Sequence, residues 1–313
     1  MKPHSTGYNT VLHRFLLLAG TALLLISILR WLPFGWSVPD HLRIGLSWGG
    51  LVLGLAALAL RRWLVLVPVL TATALNLSLV ATSFTPPPPL GATPPLTLLH
   101  ANVWASNPSM DDYVALAHAE KPDIAVVLER YYFHGPVWAQ QLADILPHRL
   151  DCAEADCGSN ILSRWPLERL GPVTSPWHDT PDRPSYLAAR VHRPEGAFTL
   201  VTVHLGQPFN QPVQDAQVEW LLDRLAELPG PVILSGDFNA APWSPLMRRI
   251  MDRAGLSRLS ATGPTWPSQA LAIGIPIDHV LGGQGVGGVS ARVLGDVGSD
   301  HRPVRVEFTA AAP

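Results

Sequence analysis

The sequence predicts a mixed α/β domain carried behind a membrane anchor. Two observations lead there: three long apolar stretches fill the first 85 residues, and the remainder alternates short β-rich runs with helical ones. Composition agrees, since 48% of the 313 residues are apolar and 15% charged, against about 25% charged in ordinary soluble domains. A mean hydropathy of +0.20 excludes a disordered or fibrous chain. Charge is unevenly placed. Residues 1–95 carry six Lys/Arg against one Asp, whereas residues 96–313 carry sixteen Lys/Arg against twenty-three acidic residues. The second part lacks the basic surface that commonly marks nucleic-acid binding, so nucleic acid is the less favoured partner.

The apolar stretches run from about 15 to 32, 44 to 60 and 63 to 84. Each is near the roughly 20 residues that cross a bilayer. None contains Asp, Glu or Lys; Arg14, Arg30, Arg43, Arg61 and Arg62 sit at the ends, beside Trp31, Trp36 and Trp63. A cleaved signal peptide followed by core helices is disfavoured by three consecutive segments and no good small-residue cleavage site. Residues 1–84 are therefore expected to be an anchor of three transmembrane helices. Lys2, Arg14 and the Arg61-Arg62 pair should be cytoplasmic under the positive-inside rule, which delivers residue 85 to the far side of a bacterial-type cell membrane. Residues 85–95, Thr-Pro-Pro-Pro-Pro-Leu-Gly-Ala-Thr-Pro-Pro, read as a stiff spacer reaching at most ~34 Å at ~3.1 Å per residue.

Residues 96–313 form the globular part. Strands are expected at Leu96–Ala101, Ile124–Leu128, Phe198–Val203, Pro231–Leu234 and Val304–Phe308, and helices at Asp111–Glu120, Gln214–Leu228 and Pro245–Ala254. Polar residues fall repeatedly at the ends of apolar runs: Asn102, Glu129, His204, Asp237 with Asn239, Asp278-His279, and Asp300-His301. Strand ends converge at one sheet edge, so these groups can gather into one cleft. A single Asn or Asp after a strand is usually a turn former. Glu129 resists that explanation, because a carboxylate directly after five apolar residues is costly to bury unless it is paired or metal-bound. Asn, Glu, Asp and His in this pattern suit a hard divalent cation, Mg²⁺ or Mn²⁺, with acid/base groups beside it.

In these motifs the chain resembles the endonuclease/exonuclease/phosphatase superfamily. They stand in family order: Asn102 in Ala-Asn-Val; Pro-Asp-Ile-Ala-Val-Val-Leu-Glu ending at Glu129; Gly158-Ser-Asn-Ile-Leu-Ser-Arg164; Val203-His204-Leu205; Gly236-Asp-Phe-Asn239; Ile277-Asp278-His279-Val280; and Ser299-Asp300-His301. The resemblance implies a four-layer α/β sandwich, two mixed sheets flanked by helices. It also implies a role for each residue. Glu129, helped by Asn102 and Asp300, holds the metal; Asp237 orients or deprotonates water; Asn239 steadies the phosphate. His301, held by Asp278, stabilises the charged phosphorus centre or exchanges a proton with it, and His204 protonates the leaving group. Which group is acid and which base stays open. His279 is expected to be structural, and Trp266 to pack the cleft floor in preference to touching substrate.

The segment Leu-Gly-Gln-Pro-Phe-Asn-Gln-Pro after His204 leans toward the phosphatase and sphingomyelinase members. The anchored arrangement also resembles the membrane-bound branch associated with teicoplanin-type glycopeptide resistance, which implies a phosphorylated lipid such as undecaprenyl pyrophosphate as substrate. An anchored nuclease and an inactive binding domain are the alternatives. Outside the cytoplasm disulfides persist, so Cys152 and Cys157 are expected to be bonded, fixing the loop into Gly158 and stabilising by less than the ~3 kcal/mol of a 15-residue loop.

Overall fold

The computed structural model describes residues 5–31, 38–81, 94–131, 135–152, 155–176, 179–261, 263–270 and 273–311. Most of the expected Pro-rich spacer, residues 85–93, lies outside them, as does Trp36. The chain divides into two compact units, Met1–Phe84 and Thr85–Pro313.

The first unit is helical: α1 (Ser5–Ile28) with a 3-10 turn at Leu29–Trp31, α2 (Val38–His41), α3 (Arg43–Ala59) and α4 (Trp63–Ala81). Two stretches, Thr10–Trp31 and Trp63–Ala81, are long and apolar enough to cross a membrane. The expected middle span is shorter. Its 17 residues rise only about 26 Å at ~1.5 Å each, less than the ~30 Å hydrocarbon core. Sequence sets both ends of α3. At its C-terminus Arg61 takes a left-handed φ of 52° and the Arg62 N–H reaches Ala57 O at 2.7 Å. At its N-terminus Arg43, which the sequence placed at a free membrane end, folds inward. The buried Arg43 guanidinium bonds Asp40 and donates to Asn76 Oδ1 at 2.6 Å, and Asn76 Nδ2 donates to Ser27 Oγ at 2.9 Å. Polar groups from several helices thus satisfy one another inside an apolar bundle. Large apolar side chains face outward on all three long helices, among them Phe15, Leu18, Val52, Leu55, Leu64 and Val67.

The second unit holds two six-stranded mixed sheets. The first takes β1 (Leu96–Asn102), β2 (Ile124–Leu128), β3 (His148–Asp151), β4 (Asn160–Ser163), β11 (Val286–Val293) and β12 (Val304–Ala310), in the order β11-β12-β1-β2-β4-β3. The second takes β5 (Leu167–Arg169), β6 (Ser185–Val191), β7 (Phe198–His204), β8 (Val232–Asp237), β9 (Ser257–Arg258) and β10 (Asp278–Gly282), in the order β5-β6-β7-β8-β10-β9. The helices are α5 (Asp111–Glu120), α6 (Val137–Gln140), α7 (Gln211–Glu227) and α8 (Pro245–Ala254).

Strand periodicity divides the core into three apolar layers. Leu98, Ile124, Val126, Leu128, Leu200, Ile233 and Val280 fill the space between the sheets. Their neighbours turn the other way: Leu99, Ala125 and Val127 pack on Tyr113 and Trp138 of α5 and α6, while Val201, Leu234 and Leu281 pack on Leu221 and Met247 of α7 and α8. Burial on both faces is why these strands read as continuous apolar runs.

The expected helix at Gln214 begins instead at Gln211, because Pro212 is tolerated in a first turn. Asp278-His279 does not follow a strand; it opens β10, while Ile275 ahead of it only bridges to Trp266.

Candidate active site

Register brings the polar residues to one edge. β1 and β2 run parallel, aligning Asn102 with Leu128 and so with Glu129 just beyond. β7 and β8 run parallel, aligning His204 with Asp237, and antiparallel β10 sets Asp278 opposite Asp237. The β7–β8 approach requires Gly236, where a Cβ would stand 2.1 Å from Val203 O.

Alternation then decides which side chains enter. His100 and Asn102 follow Leu98 on the inter-sheet face of β1, and Ser235 and Asp237 follow Ile233 on that of β8. Asp278 shares the face of Val280, whereas His279 shares that of Leu281. His279 is accordingly structural, as expected: it is buried, its Nε2 lies 2.9 Å from Ala240 O, and burial pushes its pKa down to about 3. The same alternation would turn Glu129 away from the cleft. A left-handed φ of 59° at Glu129 redirects it.

Asn102 ties two carboxylates together. Its Nδ2 donates to Glu129 Oε1 at 2.9 Å and to Asp237 Oδ2 at 3.1 Å, while its Oδ1 accepts from Trp104 N–H at 3.0 Å. Glu129 Oε2 accepts from Ala105 N–H at 2.9 Å. Asp237 Oδ1 accepts from the Asn239 N–H at 2.9 Å, with Asn239 at a φ of 48° and its Nδ2 donating to Leu205 O at 2.9 Å. His204 Nε2 lies 3.5 Å from Asp237, 3.9 Å from Glu129 and 3.5 Å from Asn239 Nδ2. On the other side, His301 Nδ1 lies 2.8 Å from Asp278 Oδ2 and its Nε2 3.7 Å from Asp237 Oδ2.

The electrostatics separate these groups. Burial opposes ionisation of Glu129, but His204 and the Asn102 amide outweigh it and hold the carboxyl below its ordinary value. Burial, together with Asp278, raises Asp237. Burial also opposes the charge on Asp278, but His301 and His100 hold it well below the carboxylate range. Burial works against the His301 imidazolium, yet Asp278 and Asp237 push it up to about 10.

Three placements depart from the sequence reading. Asp300 accepts from Trp266 Nε1 at 3.2 Å through Oδ2, and its buried Oδ1 has no hydrogen-bond partner. Trp266 is therefore not a packed floor; the residue is 39% exposed and its Nε1 is held by Asp300. His100 was not singled out, although it is buried with Nε2 3.1 Å from Asp278 Oδ1 and Nδ1 3.0 Å from Ser235 Oγ. The usable signal was its position two residues before Asn102, hence on the same strand face. Ser299 was also passed over; its Oγ donates to Asn102 O at 2.8 Å and accepts from the His301 N–H at 3.0 Å.

The donors suit a hard divalent cation. Glu129, His204 and Asp237 present ligand atoms within 4.8 Å of one another, as do Asp237, Asp278 and His301. The converging carboxylates of Glu129 and Asp237 supply the oxygen donors that Mg²⁺ or Mn²⁺ prefers, while Asp300, expected beside them, belongs to neither group. Beside them, Cys152 and Cys157 form the expected disulfide, with Cα atoms 5.7 Å apart. It leads into Gly158, whose φ of 73° and contact with the Tyr131 ring and Glu129 Cα exclude a side chain.

The pattern of the Endonuclease/Exonuclease/phosphatase family matches residues 99–301. An endonuclease/exonuclease/phosphatase from Beutenbergia cavernae DSM 12333 is 23% identical, with a TM-score of 0.55 over 69% of this chain and 72% of that one. Humanized D. rerio TDP2 is 18% identical (TM-score 0.54, 69% of this chain and 99% of that one). A Staphylococcus aureus beta toxin mutant with bound magnesium ions is 12% identical (TM-score 0.54, 68% and 99%). These structures share the fold. A UPF0294 protein of Klebsiella pneumoniae (strain 342) is 37% identical over 92 residues, 29% of this chain; the match spans about a third of that protein, 34% of its length. The chain belongs to the Endonuclease/Exonuclease/phosphatase family, whose members are metal-dependent enzymes that hydrolyse phosphoesters.

Proposed function

We propose that this chain is a membrane-anchored, Mg²⁺- or Mn²⁺-dependent hydrolase of lipid-linked phosphate or pyrophosphate, acting outside the cytoplasm, with undecaprenyl pyrophosphate the leading substrate. The observation that carries this reading is the meeting of Glu129 and Asp237 on one amide, with the His301–Asp278 pair across from them. Glu129 and Asp237, with Asp300 and Asn102 nearby, would hold the cation. Bound there, it supplies positive charge to a phosphate oxygen and lowers the pKa of water. Asp237 orients or deprotonates the attacking water, and the Asn239 N–H fixes that carboxylate. His301 presents a protonated Nε2 to the phosphorus centre, and His204 protonates the leaving oxygen. Asp278, braced by His100, which Ser235 contacts in turn, keeps His301 charged.

The anchor supports the choice of substrate. Outward-facing apolar side chains on α1, α3 and α4 suit a bilayer better than water. We read α3 as a third crossing, its shortness accommodated by local thinning, which makes residues 1–84 an anchor and places residues 96–313 across the membrane. A spacer of at most ~34 Å then holds the catalytic domain at the surface, where anchoring concentrates a lipid and does nothing for a freely diffusing ester. Purified full-length protein should be silenced by EDTA and revived by Mg²⁺ or Mn²⁺. Glu129→Ala, Asp237→Ala and His301→Ala should each lower kcat by at least ~10²-fold, the lower range for one acid–base group. Near-wild-type turnover by Asp237→Ala would sink this assignment.

A further inference from the structure

Most loops at the catalytic edge of the sheets carry apolar tips and no charge. β1, β7 and β8 end there at Asn102, His204 and Asp237, and β10 starts there at Asp278. The segments that run from those ends, 103–110, 205–210, 238–244 and 259–277, contain no Asp, Glu, Lys or Arg. Among the described residues, six large apolar side chains of the second unit are exposed, and four of them, Trp104, Phe209, Trp266 and Ile273, stand on these segments. Phe209 is 71% exposed and Ile273 65%. Trp104 holds a left-handed φ of 61°, costly for a bulky side chain, with its N–H donating to Asn102 Oδ1. Trp266 is held through Nε1 on Asp300, whose neighbour Ser299 donates to Asn102 O, so both tryptophans are tied to residues around Asn102. Backbone pairing of Trp266 with Ile275 puts Ile273 in the bend between them. Phe209 lies in the turn that the Asn210 N–H closes on Gln207 O at 3.3 Å.

The missing charge selects the partner. Surfaces that bind single-stranded nucleic acid combine exposed aromatics with Lys and Arg that meet the phosphates; these segments have the aromatics without the cations. Amphipathic indoles beside aliphatic side chains are the composition that settles at a bilayer interface. We propose that Trp104, Phe209, Trp266 and Ile273 form a rim that enters the headgroup–acyl boundary of the membrane, so that the cleft opens onto the bilayer surface. The rim rests on the membrane-anchored reading and adds to it the face by which the catalytic domain meets lipid. A spacer of at most ~34 Å keeps that domain within reach of the bilayer, and a lipid phosphate can then meet Glu129 and Asp237 without its chains leaving the membrane. Because the rim is uncharged, its contact should need no anionic lipid and should withstand salt, unlike that of a polybasic patch.

The test uses full-length protein in phosphatidylcholine proteoliposomes with Mg²⁺. A fluorophore is attached to a single new thiol in Phe209→Cys, Ile273→Cys or Glu195→Cys, Cys152 and Cys157 being bonded to each other. Glu195 lies in the β6–β7 connection, at the end of β7 opposite His204. Nitroxide-labelled lipid should quench the probes at 209 and 273, at the ~5–10 Å depth of an interfacial segment, in low and high salt alike, and leave the probe at 195 bright. No quenching at 209 and 273, equal quenching at 195, quenching lost in high salt, or a response to single-stranded DNA in place of lipid would each overturn the rim. Combining Phe209→Ser with Ile273→Ser should raise KM for undecaprenyl pyrophosphate about tenfold, the low end for losing one buried apolar side chain. KM for a soluble phosphoester and the melting temperature should not move. Equal losses on lipid and soluble ester would reduce these residues to a structural role and overturn the rim. Quenching at 209 and 273 without hydrolysis of any lipid would leave the rim standing and remove the lipid-hydrolase reading; lipid hydrolysis with both probes unquenched would remove the rim and leave that reading.

Discussion

Glu129 and Asn239 hold left-handed φ values of 59° and 48°, a conformation that costs a non-glycine residue on the order of 1–3 kcal/mol. Each strained residue aims a polar group into the cleft, Glu129 its carboxylate and Asn239 the N–H that fixes Asp237. His301 carries a different constraint, because Asp278 and Asp237 raise it from 6.5 to about 10. A raised folded-state pKa means that the imidazolium stabilises the fold fully below pH 6.5 and loses that contribution as pH rises through about 10. Activity should follow the same proton. The alkaline limb of kcat should lie well above an ordinary histidine pKa, and Asp278→Asn should bring it down by at least ~1 pH unit. An alkaline limb that Asp278→Asn leaves in place would detach His301 from the chemistry. Glu129, Asp237 and His301 were legible in the sequence because acidic and imidazole groups at the ends of apolar runs have few other uses. His100 and Ser235 were not, since their meaning depends on the sheets facing each other, which no single strand reveals.

At the scale of elements, the buried strands announced themselves through continuous apolar runs, whereas short and edge strands did not. β3, β5 and β9 have four, three and two residues, too few to show a period. β11 contains two glycines and a register shift between Gly288 and Ser290, which hides its alternation. The start of β10 was missed because the apolar run Ile275-Pro276-Ile277 reads as the strand that Asp278 follows, whereas the strand opens at Asp278 itself. The disulfide loop is an element whose state also reports topology. In intact cells expressing the full chain, a membrane-impermeant maleimide should label Cys152 and Cys157 only after an impermeant reductant has been added. Labelling without reductant would show that the bond is absent, and labelling only after lysis would place the domain in the cytoplasm.

For the whole molecule, the asymmetry of charge and hydropathy separated an apolar, basic first unit from an acidic second one, and that division matches the two compact units. The length of the middle helix was legible, since the apolar stretch from about 44 to 60 and α3 both have 17 residues; the inward fold of Arg43 toward Asn76, a contact between residues 33 positions apart, was not. What joins the two units in function is the claim that the anchor exists to present a phosphorylated lipid to the cleft. The direct measurement is phosphate release by the full-length protein in Mg²⁺-loaded proteoliposomes containing undecaprenyl pyrophosphate, beside a soluble phosphoester and plasmid DNA at matched concentration. The lipid should turn over at least ~10-fold faster than either soluble substrate, the low side of what co-localisation confers, and Asp237→Ala or EDTA should abolish it. Faster cleavage of DNA or of the soluble ester, or lipid hydrolysis indifferent to EDTA, would contradict the claim.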